Sequence, residues 1–342
     1  MIRTRQPTGR APWPLILIEG GEKSGKSWAA ATLSASGRVG QTYWLDLGEG
    51  AADEYGAIEG SRYLVVEHDG TWESILGQVR EIRAEAERAA QAGEPPIVLV
   101  IDSMTAEWEL LKDWATNRAA RSDSNKARLA RDPGAEVKVP VNLWNDANTR
   151  HRRLMTLLMT FPGIVVMTAR GKEVASLDAS GKPIEGSREY KVEGHKNLAY
   201  DSSVWVRLSR DRAPIVVAAR SVHAGVRPGI DEPQELPENW SLEGLIFEAL
   251  RCDPQGTRAR AMTAIQAGAE SPDLDDLSPA ARRLLAEAED AANVEQLGLV
   301  WTAITAVGQA GEITLPEAEL VRRRVQALKA EMNGQGVQAG AA

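Results

Sequence analysis

The chain has 342 residues and a formal net charge of -8, with 43 % hydrophobic and 26 % charged residues. This is a globular composition with room for about two domains of ~100–200 residues, and no apolar run is long enough to span a bilayer. The single cysteine, Cys252, excludes an internal disulfide and a cysteine-based metal cluster and fits a reducing, cytoplasmic compartment.

Charge is unevenly distributed. Residues 231–342 hold 9 Lys and Arg against 19 Asp and Glu, a net -10, so the first 230 residues carry +2. Within that first part, residues 112–153 contain 10 basic and 5 acidic side chains. An acidic total therefore does not exclude a polyanionic partner, because binding depends on the local field.

Residues 1–14 are basic and contain proline without apolar periodicity, and they read as a flexible arm. A strand over 15–19 leads into Gly20-Gly21-Glu22-Lys23-Ser24-Gly25-Lys26-Ser27, which fits G-x-x-x-x-G-K-[ST], and a small-residue helix follows from Trp28. In that strand-to-helix setting the glycines let the backbone curl so that N–H groups and the helix start face a phosphate. Residues 20–28 are thus candidate nucleotide ligands. Lys26 would neutralise the outer phosphates of ATP, and the Ser27 hydroxyl would help hold Mg2+.

Short β-rich runs follow at 42–47 and 63–66, then a helix over 72–91 with apolar residues at helical spacing. The run Ile97 to Ile101 suits a strand buried on both faces, and it ends in Asp102. That acid reads either as the second metal ligand facing Ser27 or as the cap of the next helix. Glu49, just beyond the 42–47 strand, is a candidate for orienting the attacking water or is a plain loop acid. Further helices are expected from Met104 to about Asn117 and from Val141 to Phe161. Between them lies a polar segment, 118–139. A strand at 164–167 is followed by a Gly-, Lys- and Glu-rich stretch, 171–195, that reads as a mobile loop. Strands at 203–208 and 215–219 close an α/β core with a mainly parallel sheet. A Pro/Glu linker, a short amphipathic helix at 241–252 and a second acidic linker at 267–279 lead to three helices starting at 281, 294 and 316. The expected division is an arm (1–14), an ATPase core (15–227), a linker with a short helix (228–280), a helical domain (281–332) and a disordered tail (333–342).

Several of these segments resemble the RecA family. The phosphate loop is similar to RecA's Gly-Pro-Glu-Ser-Ser-Gly-Lys-Thr, Glu49-Gly-Ala-Ala-Asp53 to the segment carrying its catalytic glutamate, and Ile101-Asp102-Ser103 to its Walker B strand. Residues 194–208 resemble the segment that follows RecA's second DNA loop. The resemblance covers roughly 15–220 and implies a RecA-like P-loop ATPase core that binds ATP and magnesium between subunits of a ring or filament, with Lys26 and Glu49 catalytic and Ser27 and Asp102 on the metal. Where RecA has Asn-Gln after its fifth core strand this chain has Thr168-Ala169-Arg170, and Arg170 becomes a candidate phosphate contact. By position, 118–140 and 171–195 correspond to the two DNA loops. Arg118, Arg121, Lys126, Arg128, Arg131 and Lys138 in the first, and Lys172, Lys182, Arg188, Lys191 and Lys196 in or beside the second, are candidate contacts to single-stranded DNA. The bland alternative for both is a pair of solvated charged loops. A RecA-like core with a small helical C-terminal domain looks like phage annealing and recombination proteins, acting in a bacterial host. In such a protein the helical domain would meet a replication or recombination partner. The competing expectation is an ATP-switched regulator or loader that holds a protein rather than DNA.

Overall fold

The computed structural model describes residues 4, 6–178, 181–224, 226, 230–262, 277–291, 293–314, 316–322, 324–326 and 328–329. The chain divides into two compact units, residues 1–262 and 263–342.

In the first unit, β1 (Leu15–Gly20) leads through the phosphate loop to α1 (Lys26–Ser34), followed by β2 (Thr42–Asp46), α2 (Ala52–Tyr55), β3 (Tyr63–Val65) and α3 (Trp72–Ala92). Next come β4 (Val98–Asp102), α4 (Met104–Ala120), α5 (Asp123–Arg131), α6 (Val141–Met159), β5 (Ile164–Leu177) and β6 (Pro183–Glu193). The unit ends with α7 (Leu198–Asp201), β7 (Val204–Leu208), β8 (Ile215–Ala219), β9 (Gln234–Glu235) and a π-helical turn at Gly244–Ala249. The sheet order is β3-β2-β4-β5-β1-β7-β8-β9, with β6 paired to β5. The neighbours from β3 through β7 are parallel, and β6, β8 and β9 are added antiparallel. The expected α/β core with a mainly parallel sheet is therefore present.

Alternation along β1 divides the core. Leu15 and Leu17 face a layer formed with α3, α4 and α6. Ile16 and Ile18 face α1 and residues 242–252. The central strands are buried on both faces, as their unbroken apolar runs require. All the parallel strands end on one edge, where the crevice between diverging loops is the usual ligand site of an α/β sheet.

Four segments differ from expectation. Residues 118–131, read as part of a polar segment, are mostly helical: α4 runs to Ala120, and Ser122 caps α5 by accepting from the Asn125 N–H. Residues 171–195, read as a mobile loop, are mostly the hairpin of β5 and β6, with Lys172 opposite Lys191 and Glu173 opposite Tyr190. The amphipathic helix at 241–252 is a π-helical turn whose Leu245, Ile246 and Phe247 are buried. The Pro/Glu linker contributes β9, which pairs with β8.

In the second unit, α8 (Pro279–Glu289) starts at a Ser278 cap with proline in its first turn, and α9 (Val294–Gln309) starts at an Asn293 cap. Residues 316–322 are helical. Leu284, Leu297, Ile304, Val321 and Val325 form a small core. Most of the second acidic linker and the whole 333–342 tail lie outside the described residues. Among the described residues no helix is long and apolar enough to cross a membrane.

Candidate functional site

The loop between β1 and α1 is shaped by backbone demands. A Cβ on Gly20 would lie 2.3 Å from the Leu208 carbonyl oxygen of the adjacent strand, so only glycine fits that close approach. Gly25 takes the left-handed conformation (φ 95°) as the N-cap of α1, and no side chain caps the helix. The first N–H groups of α1 are thus left to an anion or to water. Lys26, the first helical residue, folds back so that its Nζ donates to the carbonyls of Gly20 (3.2 Å) and Gly21 (2.9 Å). Ser24 Oγ also donates to the Gly21 carbonyl, at 3.0 Å. Glu22 and Lys23 point to solvent. Trp28 is 53 % exposed and packs edge-on to Tyr55, with ring centres 5.8 Å apart.

Acidic groups surround Lys26. Burial lowers its pKa, and the charges of Asp102, Glu49 and Glu19 oppose that shift while Arg170 adds to it. Asp102, at the end of β4, is 1 % exposed. Burial raises its pKa, partly offset by the hydrogen bond from Thr168 and by the nearby Ser27 hydroxyl. Thr168 Oγ1 donates to Asp102 Oδ1, whereas the buried Oδ2 makes no close hydrogen bond. A buried carboxylate oxygen without a partner is costly, and one beside the Ser27 hydroxyl is a suitable donor set for a hard divalent cation. The residues present fit magnesium.

Glu49 is held by its loop. Asp46, at the end of β2, accepts from the N–H groups of Gly48 (2.9 Å), Glu49 (2.9 Å) and Gly50 (3.2 Å). That cap turns the Glu49 side chain toward the site, where Oε1 accepts from Ser103 Oγ at 2.9 Å and from Arg170 Nη2 at 3.1 Å. Arg170, a candidate phosphate contact by sequence, therefore engages Glu49 here.

Sequence reasoning missed four supporting residues. Asp46, Ser103 and Thr168 hold Glu49 and Asp102, and the fourth is Glu19. Fully buried one residue before the loop, Glu19 pairs through Oε1 with Arg207 Nε. The Arg207 guanidinium lies 4.4 Å from the Tyr190 ring centre, which ties the hairpin to the loop strand. An acid inside an apolar strand was the available signal for Glu19. Its partner is 188 residues away.

The candidate polynucleotide contacts divide into two groups. Arg118, Arg121, Lys126, Arg131 and Lys138 are exposed on or beside α4 and α5, and Arg128 is half-buried. Lys126 approaches Asp123 at 3.8 Å. On the hairpin, Lys172, Lys182 and Lys191 are exposed, and Lys172 is paired with Glu193. Arg188 is a strand residue whose side chain lies outside the described atoms. Lys196 is exposed beyond the hairpin, beside His195. His195 is buried, its Nδ1 accepts from the Asn197 N–H and its Nε2 donates to Asn148 Oδ1 at 2.8 Å, and its pKa is held down to about 4 by burial and by His151.

Comparison with known proteins adds the following. Residues 14–223 match the family model described as an AAA domain. No curated protein matches. Among solved structures, a prototypical ATPase from the type III secretion system of pathogenic bacteria is 15 % identical with a TM-score of 0.33, covering 58 % of this chain and 51 % of its own. The chain thus spans about half the length of that ATPase. The RadB recombinase is also 15 % identical with a TM-score of 0.33, covering 61 % of this chain and 81 % of its own.

Proposed function

The chain belongs to the AAA-domain family and is a P-loop ATPase; from that premise we propose that it uses ATP to control its grip on single-stranded DNA, as an annealing or recombination protein of phage type. The observation that carries this reading is one face of one strand. Alternate residues of a strand share a face, so Thr168, Arg170 and Lys172 of β5 lie in line. Thr168 bonds the acid Asp102, Arg170 bonds Glu49, and Lys172 stands directly opposite Lys191 on the hairpin. A rearrangement at the phosphate end is thereby transmitted along a continuous strand to two exposed cations.

In this account residues 20–27 cradle the triphosphate, and Lys26 leaves the loop carbonyls to meet phosphate oxygens. Ser27 and Asp102 would hold magnesium, which would neutralise charge on the outer phosphates when bound. Glu49, fixed by Asp46, orients the attacking water. Arg170 leaves Glu49 when a phosphate competes for it. The cations of α4, α5 and the hairpin meet the DNA backbone. The protein works as a homo-oligomer, and its helical second unit engages a protein partner.

The test is fluorescence anisotropy on a labelled single-stranded oligonucleotide, with and without ATP and magnesium, across a salt series. Binding is expected to tighten with ATP. The double variant Lys172→Glu/Lys191→Glu should bind about 10-fold or more weakly, and its log–log salt slope should be shallower by about 1.4, two contacts at ~0.7 each. Binding that ignores ATP and survives the double substitution would leave the ATPase without DNA as its ligand and favour a protein-directed switch.

A further inference from the structure

The end of the sheet opposite the phosphate loop holds a second cleft of about 270 Å³ that the ATPase reading does not use. Its walls are residues 9–12 and Pro14 ahead of β1, Ser203 and Val204 at the start of β7, residues 220–223 after β8, and Leu250 with Cys252. Residues 12 and 13 are fastened in place: Trp13 N–H donates to the Arg258 carbonyl at 3.0 Å, and Pro12 forms a parallel bridge with Arg258. Val204, Leu250 and Cys252 form a buried apolar floor. Burial pushes the Cys252 thiol up to about 12, so that floor is uncharged.

The rim is cationic. Arg10, Arg220 and His223 line it, all exposed. No Asp or Glu is among the described lining residues, although the whole chain has 48 acids against 40 Lys and Arg. Arg220 Nη2 donates to the Tyr200 carbonyl at 3.2 Å. Close by, Arg260 is half-buried, its pKa lowered by burial and by the like charge of Arg220. The Asp201 carboxylate is within electrostatic reach of Arg220 but does not line the cleft. An anion held at the exposed Arg220 would offset the like-charge repulsion between it and the half-buried Arg260.

Two features select the class of anion. No Trp, Tyr or Phe is among the described lining residues, and the one ring there, His223, is a poor platform for a run of stacked bases. Arginine pairs carboxylates in a two-pronged geometry, and the apolar floor gains from burying a hydrocarbon side chain. We propose that this cleft docks an acidic peptide of a partner protein, with one aliphatic side chain over Val204, Leu250 and Cys252 and flanking carboxylates on Arg10 and Arg220. The cleft stands at the arm end of β1 and the phosphate loop at the other, so the two functions are separable by mutation.

The experiment uses the full-length protein and a fluorescein-labelled peptide, Glu-Asp-Leu-Asp-Asp-Leu, read by anisotropy. Saturable binding is expected with a Kd of about 10–100 μM. Arg220→Glu should weaken it about 10-fold or more, and so should Arg10→Glu/His223→Glu, which changes exposed side chains alone and tests the rim if Arg220→Glu fails to fold. Replacing both leucines of the peptide by serine should weaken binding about 5-fold or more. Lys26→Ala should bind the peptide as the wild type does, whatever becomes of the nucleotide reading. Absence of saturable binding, or equal affinity in wild type and the rim variants, would overturn the proposal. So would displacement of the peptide by a single-stranded oligonucleotide whose own affinity falls in the rim variants, which would make the cleft a phosphate site.

Discussion

Lys26→Ala is expected to abolish measurable nucleotide binding, with ATP affinity falling about 100-fold or more, equivalent to ~3 kcal/mol. The side chain is the first residue of α1 and already spans the loop through the Gly20 and Gly21 carbonyls. Its positive charge also lies within electrostatic reach of three carboxylates, Asp102, Glu49 and Glu19. Alanine removes a charge-assisted donor to phosphate, worth about 1.5–3 kcal/mol, and leaves those carboxylates to repel the triphosphate. Lys26→Arg is expected to restore little, because a rigid planar fork does not reproduce a compact ammonium on a flexible stem. Isothermal titration with a non-hydrolysable ATP analogue checks both variants, with circular dichroism as the control for folding. Wild-type affinity in Lys26→Ala would place the nucleotide elsewhere.

Glu49→Gln separates binding from chemistry. The amide keeps the size of the side chain and an oxygen that accepts from Ser103 and Arg170, and Asp46 still fixes the turn through three backbone N–H groups. What is lost is the charge that polarises a water molecule for in-line attack. ATP affinity is expected to stay within about 3-fold, while kcat falls about 100-fold to 1,000-fold, within the range of a positioned general base. Phosphate release under saturating ATP gives kcat, and titration gives the affinity. Equal turnover in the variant and the wild type would leave Glu49 as the partner of Arg170 and nothing more.

What the sequence disclosed follows from locality. The loop 20–27 and the apolar run ending at Asp102 are contiguous patterns, and strand-to-helix context makes the first specific. The hairpin was not legible for the opposite reason. Lys172, Glu173, Lys182, Pro183, Ile184 and Glu185 are all exposed, so the far half of the β5–β6 hairpin has no apolar face, and the alternation that marks a strand is confined to the last residues of β6, where Tyr190 and Val192 are half-buried. The short helix α5 buries just Asn125, and its signal reduces to the Ser122 cap and the acid after it. Contacts such as Thr168 with Asp102, or Arg207 with Glu19, join residues 66 and 188 positions apart, and no local pattern encodes them. The Asp46 cap is local, but its three backbone donors become visible once the turn is built.

The central claim is that a triphosphate is held at the start of α1, with its metal between Ser27 and Asp102. The metal dependence of nucleotide affinity tests it most directly, measured by titrating a non-hydrolysable ATP analogue in magnesium and in EDTA, for the wild type and Ser27→Ala. The account predicts that removing magnesium weakens wild-type binding by about 10-fold, ~1.4 kcal/mol, and that Ser27→Ala shows the weakened affinity under both conditions. Affinity that is the same in magnesium and EDTA, and the same in both proteins, would contradict it.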